Sequence, residues 1–141
     1  MLLGPLDCEF SLANGEIENR DHQIREISDR FGISLRTIRF YEQLGLIRPR
    51  RTASRYRLYD LSDVARVAFI VSLRKYELPV PEIAELLALR DEVGPEASRA
   101  ALAERLEARH AALDAEIERL EVLRDDLRLW IDDIAPRSPE A

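Results

Sequence analysis

The 141 residues are 46% hydrophobic and 34% charged, a globular balance rather than that of a disordered or membrane-embedded chain. No apolar run approaches the ~20 residues that cross a bilayer. The opening stretch, 1–7, has neither a cationic region nor a sustained apolar segment, so neither a membrane span nor a secretory leader is expected. The single cysteine, Cys8, cannot build a disulfide framework or a cysteine-rich metal or iron–sulfur centre. A cytoplasmic chain with no cofactor and no metal site is expected.

The net charge of −6 is unevenly spread. Residues 1–20 carry −3, residues 21–60 carry +4, and residues 61–141 carry −7. Within 36–59 stand seven arginines, at 36, 39, 48, 50, 51, 55 and 57, opposed only by Glu42. Such a +6 block is the footprint of a polyanion partner, against the plainer alternative of a solvated basic face.

Residues 1–21 lack periodicity and read as a flexible extension that also holds Cys8, and His22 is expected in the flexible entry segment that follows. Ile24, Ile27 and Phe31 then recur at helical spacing, and Gly32 stops the segment. Ser34 is a good cap for a second helix over 35–43, with Ile38 and Tyr41 inward and Gly45 closing it. Two short helices broken by Gly32-Ile33-Ser34 form a helix-turn-helix candidate. Ile47–Arg50 and Arg55–Tyr59, flanking a small polar tip at 52–54, predict a hairpin wing. Asp60, with Asp63 three residues on, caps a third helix whose core face is Val64, Val67, Ala68 and Val71. Leu78-Pro79-Val80-Pro81 breaks the chain, and Pro81 starts a fourth helix to about Arg90.

After Gly94-Pro95, residues 96–134 contain no glycine or proline. At ~1.5 Å per residue this is a rod of roughly 58 Å. Leu106, Leu113, Leu120, Leu127 and Ile134 recur every seven residues, alternating with Ala103, His110, Ile117, Arg124 and Ile131. These are the d and a positions of five heptads, which favours a coiled-coil dimer over one helix packed on its own domain. The expected organisation is an extension at 1–21, a winged helix-turn-helix DNA-binding domain at 22–92, a dimerisation helix at 96–134 and a flexible tail at 135–141. The fold class is mainly α.

The run Ile24-Arg25-Glu26-Ile27-Ser28, Gly32 to Glu42 with Arg36-Thr37-Ile38-Arg39-Phe40-Tyr41, Leu44-Gly45-Leu46-Ile47 and Tyr56-Arg57-Leu58-Tyr59 resembles the MerR family of bacterial transcription regulators. Motif detail covers about 23–91. The long helix matches the family's dimerisation helix in position and length. The helix over 35–43 would enter the major groove, with Arg36 and Thr37 on its first turn as base readers. Arg39 and Tyr41 would reach phosphates, as would Arg51, Tyr56, Arg57 and Tyr59 in the wing, and the resemblance assigns DNA contact to the same positions. Core packing of the ring is the alternative for each tyrosine. Arg74 matches a position that touches a flanking phosphate in relatives.

The resemblance further implies a palindromic operator in an overlong promoter spacer, bent and untwisted for RNA polymerase. It also implies a homodimer whose long helices pair antiparallel. The apolar seam is best used with Ile117 against Leu120 of the partner subunit, a register in which His110 and Arg124 are the polar seam residues; a slip of one heptad is the rival. Arg55 stands where relatives often have glycine, and Pro79 where they have a capping hydroxyl. The cysteines that metal- and redox-sensing members carry near the end of the long helix are missing from this sequence, and only seven residues follow Ile134, where drug-sensing members append a ligand domain. An effector, if there is one, is expected to be a small organic molecule or a protein. An excisionase-like DNA-bending factor and a protein-interaction adaptor are the alternatives to a regulator. Two histidines, His22 and His110, with no paired acid or nucleophile in any recognised motif, speak against an enzyme.

Overall fold

The computed structural model describes residues 20–137; Cys8, most of the expected extension and the last residues of the expected tail lie outside them. The elements run β1 (His22–Gln23), α1 (Ile24–Phe31), α2 (Leu35–Gln43), β2 (Arg50–Arg51), β3 (Arg57–Tyr59), α3 (Leu61–Lys75), α4 (Val80–Glu92) and α5 (Pro95–Ile134). The compact units divide between Leu102 and Ala103.

The first unit is a helix-turn-helix backed by a three-stranded antiparallel sheet of order β1-β3-β2. Each boundary has a local cause. Gly32 ends α1 at φ +64, a left-handed conformation in which a Cβ is disfavoured, and its N–H donates to the Ser28 carbonyl. The Ser34 hydroxyl accepts the Thr37 N–H at 3.0 Å and opens α2. A full capping box opens α3: Asp60 accepts from the Asp63 N–H, and Asp63 accepts in return from the Asp60 N–H. Helix α4 starts at Val80, one residue before the predicted proline start. No side chain caps it, and the Pro79 carbonyl instead accepts the N–H groups of Glu82 and Ile83.

Ile27, Ile38, Tyr41, Ile47, Val67 and Ile70 are among the side chains of the single core. The core reaches past the expected domain end at 92. Leu102 joins it, and the buried Ser98 hydroxyl donates to the Leu86 carbonyl at 3.0 Å. The first turns of α5 are therefore part of the winged-helix unit.

His22 corrects the sequence reading. It does not sit in a flexible entry segment: it pairs with Tyr59 across β1 and β3 and is buried, with Nδ1 3.0 Å from Glu26. A two-residue strand has no period to detect in sequence, and only the distant β3 creates it.

The second unit is the remainder of α5, a single helix of side chains facing solvent. None of its described residues is buried. The predicted seam residues Leu106, Leu113, Ile117, Leu120, Leu127, Ile131 and Ile134 are 37% to 72% exposed. Arg119 pairs with Glu116 at 2.6 Å, and His110 lies 3.5 Å from Asp114 one turn on.

Candidate nucleic-acid interface

Helix α2 owes its orientation to Ile38 and Tyr41, whose burial turns Arg36, Arg39, Phe40 and Gln43 outward. Thr37 is half-buried, and its hydroxyl lies 2.8 Å from that of Ser34, engaged in the cap. The wing tip is tight. The Thr52 N–H donates to the Tyr56 carbonyl and the Arg55 N–H to the Thr52 carbonyl, both at 2.9 Å, while the Thr52 hydroxyl accepts the Tyr56 N–H at 3.2 Å. Arg55 takes φ +65, a left-handed backbone that favours glycine, and its exposed side chain presents its charge at the tip.

The arginines divide into free and engaged groups. The side chains of Arg36, Arg39, Arg51 and Arg55 are exposed and hold no ion pair among the described residues. Arg50 is paired with Asp21. Arg57 is 28% exposed, and its Nε stands 2.8 Å from Glu42 Oε2, an ion pair by distance that joins the wing to α2 without hydrogen-bond geometry. Arg74 is exposed at the end of α3 and donates to the Leu78 carbonyl at 2.8 Å.

The tyrosines also divide. Tyr56 is exposed, whereas Tyr41 and Tyr59 are core residues. Burial raises the Tyr41 hydroxyl above the usual tyrosine range, with the Arg74 charge acting the other way. Burial pushes Tyr59 up to about 12, and the Glu42 carboxylate adds to the effect. The Tyr59 hydroxyl is buried with no hydrogen-bond partner, so it does not face a phosphate in this conformation. For Tyr41 and Tyr59 the core alternative accounts for the ring.

Phe40 and Gln43 were not among the sequence-derived contacts, although both sit on the exposed face of α2. The signal was present: with Ile38 and Tyr41 inward, positions 36, 40 and 43 must share the opposite side. On α5, Leu123 and Trp130 likewise stand exposed beside the predicted seam, at positions preceding Arg124 and Ile131.

Two family models match the chain. One, described as MerR HTH family regulatory protein, covers residues 23–89, and the other, MerR, DNA binding, covers 64–130. A Haemophilus influenzae protein described as a "Probable heavy metal-dependent transcriptional regulator" is 39% identical over 111 residues, spanning 77% of this chain and 84% of that one. The chain belongs to the MerR family.

A second relative, the transcriptional regulator HmrR of Rhizobium leguminosarum, is 42% identical over 69 residues. That match spans 49% of this MerR-family chain and about half, 54%, of the Rhizobium protein. Among solved structures, the lead(II)-bound transcription regulator PbrR691 of Ralstonia metallidurans aligns with a TM-score of 0.64 at 28% identity, covering 84% of this chain and 91% of that one. These relatives are regulators of transcription, not enzymes. The winged helix-turn-helix and most of the long helix that follows it lie within the residues that the two family models match.

Proposed function

We propose that this MerR-family chain works as a homodimer in the bacterial cytoplasm, at the nucleoid. It binds palindromic promoter DNA and controls transcription by distorting that DNA for RNA polymerase. The observation that carries the DNA-facing part is the set of exposed, unpaired arginines on α2 and the wing, Arg36, Arg39, Arg51 and Arg55. Arg36 reads a base edge, with Thr37 beside it on the first turn. Arg39, Arg51 and Tyr56 hold phosphates, as does Arg74 at the flank, and Arg57 does so from its pair with Glu42. Six to eight phosphate contacts per dimer imply a log–log salt slope of about −5 to −7.

The exposed heptad seam of α5 supports the dimer. Its apolar side chains have no cover within the described residues, and an antiparallel second copy, with Ile117 against Leu120 of the partner subunit, supplies one. Two recognition helices fixed to one rod can impose a bend, at a cost of order 1–6 kcal/mol.

Of the relatives described above, two carry a metal in their descriptions, one heavy-metal dependence and the other bound lead(II). For this chain we propose no thiol-based metal sensing, because Cys8 is the one thiol of its 141 residues and soft-metal sites need several such ligands. Stoichiometric metal found by elemental analysis, with a change in operator affinity on titration, overturns that part.

Genome-wide mapping of bound DNA, followed by hydroxyl-radical footprinting, tests the whole reading. Sites centred between promoter elements and a distorted central segment are expected. Sites beside a phage attachment sequence, or straight B-form DNA in every condition, overturn the promoter mechanism.

A further inference from the structure

Phe40 is 46% exposed and lies outside the core cluster. Its ring contact among the described residues is with the neighbouring Tyr41, the centroids 6.2 Å apart and the planes tilted. Four residues before it stands Arg36 and three after it Gln43, both exposed. Side chains at those spacings are neighbours on a helix, so the three form one row on the side opposite Ile38 and Tyr41.

The chemistry of that row is selective. Arginine pairs with guanine and glutamine with adenine through their major-groove edges. Phenylalanine can donate to nothing and cannot hold a phosphate. The apolar feature a base pair offers in the major groove is the thymine C5 methyl. The unpaired Arg36 and Arg39 beside Phe40 supply the positive surroundings that bring a duplex to this face.

We propose that Phe40 reads the C5 methyl of one thymine in each half-site, so that the reading row is Arg36–Phe40–Gln43. The proposal rests on the reading of α2 as the recognition helix. Thr37, the other first-turn residue, is less suited to the methyl, because its hydroxyl is tied to Ser34 and its side chain is half-buried. Four residues of helix rise about 6 Å, so the thymine lies within about two base pairs of the base read by Arg36.

The test uses the full chain and an operator obtained by selection from a random duplex library. Each thymine of the selected operator is replaced in turn by deoxyuracil, which removes the methyl and keeps the pairing. Wild type is expected to bind one such substitution per half-site about fourfold more weakly, the effect of one lost buried methyl. Phe40→Ala, which changes an exposed residue and leaves the core intact, is expected to bind that thymine and deoxyuracil operator alike. Two outcomes overturn the proposal while leaving DNA reading in place: no thymine methyl matters to wild type, or Phe40→Ala keeps the same methyl preference. A selection in which wild type enriches no sequence sinks the recognition-helix reading and this proposal with it.

Discussion

From Ile27 to Leu102 the chain gathers its apolar side chains into one interior, with Ile38, Ile70 and Ile83 wholly enclosed. From Leu106 to Ile134 it repeats them at heptad spacing and leaves every one of the seam residues in water. Charge follows the same division. The 36–59 block is basic, whereas the long helix alternates pairs such as Arg119–Glu116 and Arg128–Asp132 with surplus acids such as Asp126 and Asp133. The difference teaches where stability and contact arise. The winged-helix unit has its own interior and the cations for DNA. The rod repels phosphates, so its contribution is geometry. Helices draw most of their stability from packing an apolar face, and for this one the proposed dimer supplies that packing.

The sharpest way to break that division is to charge the middle of the seam. Replacing both Ile117 and Leu120 by Glu puts four carboxylates into the two central layers of the proposed dimer. Sedimentation is expected to show a monomer, and operator affinity to fall by about 10²–10⁴-fold through lost avidity. The winged-helix unit keeps its core and its folded signal. A stable dimer in this variant, or a monomeric wild type, removes the rod from the mechanism.

The reciprocal change strikes the interior. Ile38→Ala deletes a fully buried side chain beneath the recognition helix. It should cost roughly 2–5 kcal/mol of winged-helix stability in denaturant titrations. Sedimentation at low denaturant should still report a dimer, since no seam residue is changed. Loss of the dimer together with the winged helix would show that the two units fold as one.

Most of the fold was legible where punctuation is local. Ser34 and Gly45 set the limits of α2, Asp60 and Asp63 the start of α3, and the long run without glycine or proline gave α5. The strand β1 was not legible, because His22–Gln23 is a strand only through Tyr59 and Leu58, far along the chain. The site was legible as charge and motif but not as allocation. Nothing near Arg50 in sequence says that Asp21 will engage it, or that Glu42 will stand against Arg57; both pairings are made by the folded sheet and helices. Tyr41 is a different case: its spacing from Ile38 already places its ring inside, and the phosphate role expected of its hydroxyl is a separate matter from that burial.

A smaller effect separates reading from holding within the basic unit. Arg36→Ala is expected to lose about 1–3 kcal/mol of discrimination at one position per half-site in a competition assay. Arg57→Ala should lower affinity for all sequences alike, because a wing arginine meets backbone rather than bases. If Arg36→Ala left the sequence preference untouched, base reading would have to be assigned elsewhere on α2.

The smallest effect concerns Tyr59, where the enclosed interior and the DNA-facing wing compete for one hydroxyl. The residue is fully buried, and its oxygen has no hydrogen-bond partner. Tyr59→Phe removes that unsatisfied group and keeps the ring, so stability at neutral pH should rise by about 1 kcal/mol. Alkaline titration gives a second reading of the same site. The folded-state pKa is raised to about 12, above the value of about 10 for an unfolded tyrosine. Below pH 10 both states keep the proton and this group adds no pH dependence. Between pH 10 and 12 the unfolded chain loses the proton first, so wild-type stability falls, at no more than about 1.4 kcal/mol per pH unit. The phenylalanine variant lacks this limb, and its advantage over wild type should widen across that window. Operator affinity at neutral pH should be unchanged, as befits a ring that belongs to the core. A weaker complex for Tyr59→Phe would mean that the hydroxyl turns out to a phosphate when DNA binds, and that the wing opens its own interior to do so.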